Sequence, residues 1–311
     1  INQQVEDIAA TGATHVAIAT PYDEEFLPML RRWVKAARQH NLKIWYRGNW
    51  AGWEGWFEYP KITRAEHIDK TKAFILAHPD LFQNGDVFSA CPECENGGPG
   101  DPRMNGDAAG HKKFLIDEYA VTKQAFKDIN KDVASNYHSM NGDVARLIMD
   151  RKTTAALDGL VVVDHYVRTP DQLVADVKAY AEQSGGKVIL GEFGAPIPDI
   201  NGEMTEDEQA LWLREALQKL SETDALVGLS YWTNVGGSTQ LWNNDGTPRK
   251  AVEALTNVYS QTFVTLIIKN AIGQRIEDAQ ITNSERTIQK THGNFLLNFF
   301  NRFYNFLNWL G

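Results

Sequence analysis

This chain lacks several signatures, and each absence narrows what it does. Positive charge is short: 31 Lys and Arg against 40 Asp and Glu leave a net charge of -9, with no basic run. Nucleic-acid binders concentrate cations to displace counterions from the phosphate backbone, so the charge argues against a nucleic-acid partner and for a neutral or extended uncharged substrate. No apolar stretch reaches the roughly 20 residues of a membrane-spanning helix. No G-x-G-x-x-G turn occurs, which argues against an open doubly wound sheet. Eight histidines are present without H-E-x-x-H or paired ligand spacing, so neither a metal nor another cofactor is expected. The remaining composition, 43% hydrophobic and 23% charged, is ordinary for a soluble globular protein. The sequence opens on Ile1 within a helical pattern and is expected to be a mature or trimmed form.

What is present is an alternation of short apolar runs with longer amphipathic ones. Residues 14–20, 42–46, 86–90, 133–137, 160–164, 188–190 and 227–231 read as seven buried strands. Between them, 24–40, 65–77, 112–130, 171–183 and 206–220 carry apolar residues at three-and-four spacing. This alternation over about 250 residues predicts an α/β protein, a (β/α)8 TIM barrel. Residues 2–11 read as the helix that follows a first strand, so that strand is expected upstream of Ile1 or supplied from elsewhere. The apolar run 262–269 is one candidate to supply it, as in a permuted barrel. The domain reading is a barrel over 1–258 and a short β-rich and helical appendage over 259–311.

In such a barrel, chemistry gathers where strands end and loops begin. Arg47-Gly-Asn49-Trp50, Pro92-Glu93, Asn136-Tyr137-His138, Asp164-His165-Tyr166, Glu192 and Tyr231-Trp232 all fall at such ends. Two carboxylates so placed, Glu93 and Glu192, are the minimum machinery for cleaving a glycosidic bond. One must protonate the departing oxygen while the other attacks the anomeric carbon or activates water, so they need different ionisation states at one pH.

Gly191-Glu192-Phe193-Gly194 closing the seventh strand, a Glu after the fourth, His165-Tyr166 after the sixth and Trp232 after the eighth together resemble the clan A glycoside hydrolases, in particular the cellulase-like and mannanase-like members. The resemblance spans about residues 1–258, a barrel's length. It implies a retaining β-glycosidase with Glu192 as nucleophile and Glu93 as acid/base. Glu95 is the alternative to Glu93. The family usually carries Asn before the acid/base, where this chain has Pro92. That departure keeps a second reading open, a non-catalytic sugar-binding barrel. A third is a structural surface or assembly protein.

The substrate-binding candidates are Arg47, Asn49, Trp50, Trp53, Glu95, Asn96, Asn136, His138, His165, Tyr166, Trp232 and Trp242. Among them the loop after the third strand stands out: Trp45, Tyr46, Trp50, Trp53, Trp56, Phe57 and Tyr59 lie within fifteen residues. Flat apolar rings match the C–H faces of pyranoses, which places Trp50 and Trp53 in a sugar cleft with Trp232 and Trp242 opposite. Ordinary packing of a long loop is the competing explanation. Cys91-Pro-Glu-Cys94 has thioredoxin-like spacing but follows a strand inside a barrel pattern, which argues against redox catalysis. In an oxidising compartment the two sulfurs are expected to close a small ring that fixes Glu93.

After residue 258 the pattern shifts to short alternating runs that faintly resemble the start of a carboxypeptidase regulatory-like module. Residues 294–311 then form a helical pattern with Asn294, Asn298, Asn301, Asn305 and Asn308 as a narrow polar stripe. Docking, self-association or contact with a membrane interface are its expected uses. The combined expectation is an extracellular or cell-surface glycosidase whose partner is a carbohydrate.

Overall fold

A computed structural model describes residues 1–50 and 60–260. Its strands are β1 (His15–Ile18), β2 (Lys43–Tyr46), β3 (Asp86–Phe88), β4 (Val133–Ala134), β5 (Ser139–Asn141), β6 (Leu160–Asp164), β7 (Lys187–Phe193) and β8 (Leu226–Tyr231). All pairings between them are parallel, in the orders β1-β2-β3-β4 and β5-β6-β7-β8. β4 pairs with β3 and β5 with β6, and only residues 135–138 separate them, so the two form one stave. The architecture is a (β/α)8 TIM barrel. Among the described residues no strand bridges β8 and β1, the seam where the first strand was expected to be absent or supplied from elsewhere. The run 262–269 lies outside the described residues.

Strand burial shows why the chain closes this way. β6 is buried along its whole length, as a strand covered on both faces must be. Its side chains alternate between two environments. Leu160 and Val162 join Trp45, Val87, Tyr137, Ile189 and Val227 in a small cluster drawn from β2, β3, β6, β7, β8 and the β4–β5 connection, which is the barrel interior. Val161 and Val163 instead pack outward with Val188, Leu190 and Phe193 against Leu173, Val177, Leu213 and Leu217 of the surrounding helices. A matching outer layer covers the other half, where Ile44, Tyr46 and Phe88 meet Leu30, Phe74 and Phe126.

The helices start where local chemistry allows. Arg64–Ala77 and Glu206–Ser221 both open on capping boxes, Thr63 with Glu66 and Thr205 with Glu208, each satisfying two N-terminal backbone donors. Pro170 begins Pro170–Ser184 behind the Thr169 cap, and Gly185 ends it in the left-handed region. A last helix covers 250–260, so the expected domain boundary at 258 falls within it. The appendage from 261 onward, with its regulatory-like runs and Asn-striped helix, lies outside the described residues.

Candidate active site

Arg47 organises the C-terminal mouth of the barrel. It immediately follows β2, is 3% exposed, and reaches four acceptors. Nη1 donates to the Gly191 carbonyl at 2.7 Å, and Nη2 to Asp164 Oδ2 at 2.9 Å, Glu192 Oε1 at 2.7 Å and Ser139 Oγ at 3.3 Å. Its guanidinium also lies 5.3 Å from the Trp45 ring, on the barrel interior side. Tyr166 completes the hold on Glu192, donating its hydroxyl to Oε2 at 2.8 Å. Gly191 is needed for this packing: a Cβ there would stand 2.3 Å from Asp164 Oδ1. Backbone contacts tie the same two strands, with Asp164 in register with Glu192 and the His165 N–H donating to the Glu192 carbonyl at 2.9 Å.

Glu93 enters from the loop that follows β3. Its backbone takes a left-handed conformation, φ 47°, and its N–H donates to the Ser139 carbonyl at 2.8 Å. Cys91 and Cys94 on either side are joined in a disulfide, the small ring anticipated around this residue. Asn49 is buried and donates to the Pro92 carbonyl at 3.5 Å. These ties bring one carboxylate oxygen each from Glu93, Asp164 and Glu192 within 4.8 Å of one another.

Three carboxyl groups and one guanidinium cannot all be charged without leaving two uncompensated negative charges in a mostly buried pocket. Glu93 takes the consequence. Burial first, then the charges of Asp164 and Glu192, push it up to about 9, with Arg47 working in the opposite direction. Burial also raises Asp164, again against Arg47. Tyr166 is raised far above an ordinary phenol by burial and by Glu192, so it remains a donor. The resulting site holds a proton on Glu93 while Arg47 and Tyr166 both donate to Glu192. The carboxylate trio could ligate a metal by type and spacing, but the Arg47 guanidinium already supplies its positive charge.

The expected site residues divide under this geometry. Glu93, Glu192, Arg47 and Tyr166 come together. Glu95 is displaced from the carboxylate trio: it is buried in the short turn Cys94–Asn96, and its Oε1 accepts from the Asn141 N–H at 2.6 Å. Asn96 stands beside it, its Oδ1 accepting from Arg103 and Asn141. Trp232, at the end of β8, is 40% exposed and suited to a sugar face. Trp53 lies outside the described residues.

The remaining expectations are corrected. Trp50 is 9% exposed, packs against Tyr22 and Phe74, and donates its indole N–H to Thr71, so it belongs to the outer core. Trp242 is 5% exposed and sits in the core of the other half. Asn136 turns away to donate to the Leu157 carbonyl. His165 turns to Asp176 on the helix Pro170–Ser184, with 2.8 Å between Nε2 and Oδ2. His138 is enclosed near His67 and Glu118. Arg47 and Asn49, expected to touch substrate, are buried and position Glu192 and the Glu93 segment instead. Asp164 was placed at the rim but given no role, and Ser139 was missed. An aspartate closing the run Leu160-Val-Val-Val was the available signal for the first; the polar strand Ser139–Asn141 offered none.

No family model matches this chain, and no curated protein does either. Solved structures do. A subfamily 18 member of glycoside hydrolase family 5 from Bifidobacterium longum subsp. longum, in complex with Manb1-4GlcNAc, aligns with a TM-score of 0.61 at 13% identity, covering 84% of this chain and 72% of its own. The likeness shows the barrel fold. A family 5 xyloglucanase from Paenibacillus pabuli aligns at 0.58 and 11% identity, covering 84% of this chain and 90% of its own. The β-glycosidase BGL167 aligns at 0.58 and 15%, covering 93% and 88%.

Proposed function

We propose that this chain is a retaining β-glycoside hydrolase acting on an oligo- or polysaccharide. The observation that carries this reading is the proximity of Glu93, in the loop after β3, and Glu192, near the end of β7, with one oxygen of each within 4.8 Å of the other. Retaining glycosidases hold their carboxyl groups about 5 to 5.5 Å apart, whereas inverting ones leave about 6.5 to 9.5 Å for a water molecule. The fold neighbours described as glycosidases support the same class.

In this mechanism Glu192, oriented by Arg47 and Tyr166, attacks the anomeric carbon. Glu93, protonated at neutral pH, gives its proton to the leaving oxygen, so one bond forms as the glycosidic bond breaks. A water molecule, deprotonated by Glu93, then releases the sugar from Glu192 and restores both groups. Trp232 offers a ring for an adjacent sugar. The disulfide of Cys91 and Cys94 supports an extracytoplasmic location.

Pro92 favours the second reading, a sugar-binding barrel without turnover, because it cannot make the side-chain contact of the Asn it replaces. Reducing-sugar release from β-glucans, β-mannans, β-xylans and β-galactans, with Glu192→Gln and Glu93→Gln alongside, decides between them. Turnover abolished in Glu192→Gln and strongly reduced in Glu93→Gln is expected; binding without turnover across the panel would select the second reading.

A further inference from the structure

Behind the carboxylates lies a second cluster of ligand-type side chains that the proposed chemistry does not use. Cys91 and Cys94 follow β3, His67 is on the helix Arg64–Ala77, Glu118 on Ala108–Asp128, and His138 lies between β4 and β5. All five are essentially sealed from solvent. The two sulfurs and one nitrogen of His67 lie within 4.8 Å of one another. His67 Nδ1 is 2.6 Å from Glu118 Oε1, while its Nε2 has no hydrogen-bond partner among the described residues. Both ring nitrogens of His138 are likewise without a hydrogen-bond partner among the described residues, but they do not belong to the donor group gathered within 4.8 Å.

Buried imidazole nitrogens are costly to leave unpaired, so several in one place call for an explanation. Cys91, Cys94 and His67 supply three of the four donors of a tetrahedral zinc site. The Cys-x-x-Cys spacing supplies two sulfurs from one turn, and tetrahedral zinc bonds of about 2.3 Å to sulfur and 2.0–2.1 Å to nitrogen need donors gathered at about this separation. Glu118 stands where a metal-bound histidine's carboxylate partner stands, fixing the Nδ1–H tautomer and leaving Nε2 to bind the ion.

We propose that the reduced chain binds one zinc ion through Cys91, Cys94 and His67, with a water molecule completing the tetrahedron and Glu118 orienting His67. The disulfide and the metal site are alternative states of the same two sulfurs. A phosphine and one water convert the disulfide to two thiols and a phosphine oxide. The ion then displaces the two thiol protons, and no further oxidant or reductant is required.

The test uses the full chain, reduced with a phosphine under anaerobic conditions, with Co²⁺ as a spectroscopic stand-in for zinc. Metal is added both to the folded protein and during refolding, because the site is enclosed. One equivalent of Co²⁺ is expected to bind with thiolate charge-transfer absorption and intense tetrahedral visible bands, displaced by Zn²⁺ and lacking in the disulfide form. Glu118→Gln should weaken binding by about 10–100-fold, as loss of an outer-shell partner does, and His67→Gln by more. Circular dichroism of each variant separates ligand loss from unfolding, and the wild-type measurement needs no variant. Absence of tetrahedral Co²⁺ in the reduced wild-type chain by both routes, or binding indifferent to His67→Gln in a folded variant, would overturn the site.

Discussion

Arg47 Nη2 donates to Glu192 Oε1 at 2.7 Å while also holding Asp164 Oδ2 at 2.9 Å, so one guanidinium sets the position of two carboxylates on neighbouring strands. Removing it exposes the cost of the arrangement. Arg47→Met leaves buried negative charge unpaired and is expected to destabilise the fold by about 3–5 kcal/mol, measured by urea unfolding. Arg47→Met combined with Asp164→Asn should recover part of that loss, because one uncompensated charge is gone. Equal destabilisation in the single and double variants would show that the pair does not act through charge.

Under the proposed mechanism, the proton on Glu93 sets the alkaline limit of turnover. Its raised value keeps the acid form present up to about pH 9, and the first step loses its acid as pH rises through that value. The pH profile of kcat/KM should therefore fall above about 9. Glu93→Gln should lose about 10²–10⁴-fold on unactivated substrates. With a dinitrophenyl leaving group, which departs without a proton, its glycosylation step should lose the alkaline limb. A wild-type limb near the ordinary carboxylate range would contradict the assignment.

Glu95 gives a pH effect on stability rather than on turnover. Burial pushes its carboxyl up to about 7, against the lowering effect of the Asn141 N–H. The folded chain therefore keeps a proton that the unfolded chain releases near the ordinary value of about 4.3. More protons bound in the folded state means stability falls as pH rises between these limits, by on the order of 3 kcal/mol. Glu95→Gln should show a flatter dependence in urea titrations across that window. Parallel curves for the two proteins would remove Glu95 as the source.

Trp50→Ala tests the corrected place of that ring. Its contacts with Tyr22, Phe74 and Thr71 make it a core residue, so the expected effect is a loss of about 3–5 kcal/mol of stability. Oligosaccharide affinity of the folded variant, measured by calorimetry, should remain within twofold of wild type. A large loss of affinity with intact stability would return Trp50 to the cleft.

Much of the barrel was legible because buried parallel strands carry dense apolar runs. Leu160-Val-Val-Val and Val188-Ile-Leu can hardly be read otherwise, and their ends locate Asp164 and Glu192. Ser139–Asn141 was not legible, since three residues with one apolar side chain carry no period. The aromatic loop misled for a related reason. Composition reports that Trp50 is large and flat, while the side of the chain on which it packs depends on Phe74 and Thr71, which follow more than twenty residues later. Trp242 and His138 illustrate the same limit. The strand ends marked the rim of the site, but inward or outward direction was decided by tertiary contacts.

The most direct test of the account is covalent trapping of the intermediate. Once the sugar panel identifies a cleaved substrate class, the matching 2-deoxy-2-fluoro β-glycoside with a good leaving group should inactivate the enzyme. Mass spectrometry of its peptides should place one glycosyl unit on Glu192. A label on Glu93, or turnover with inversion and no trapped species, would contradict the account.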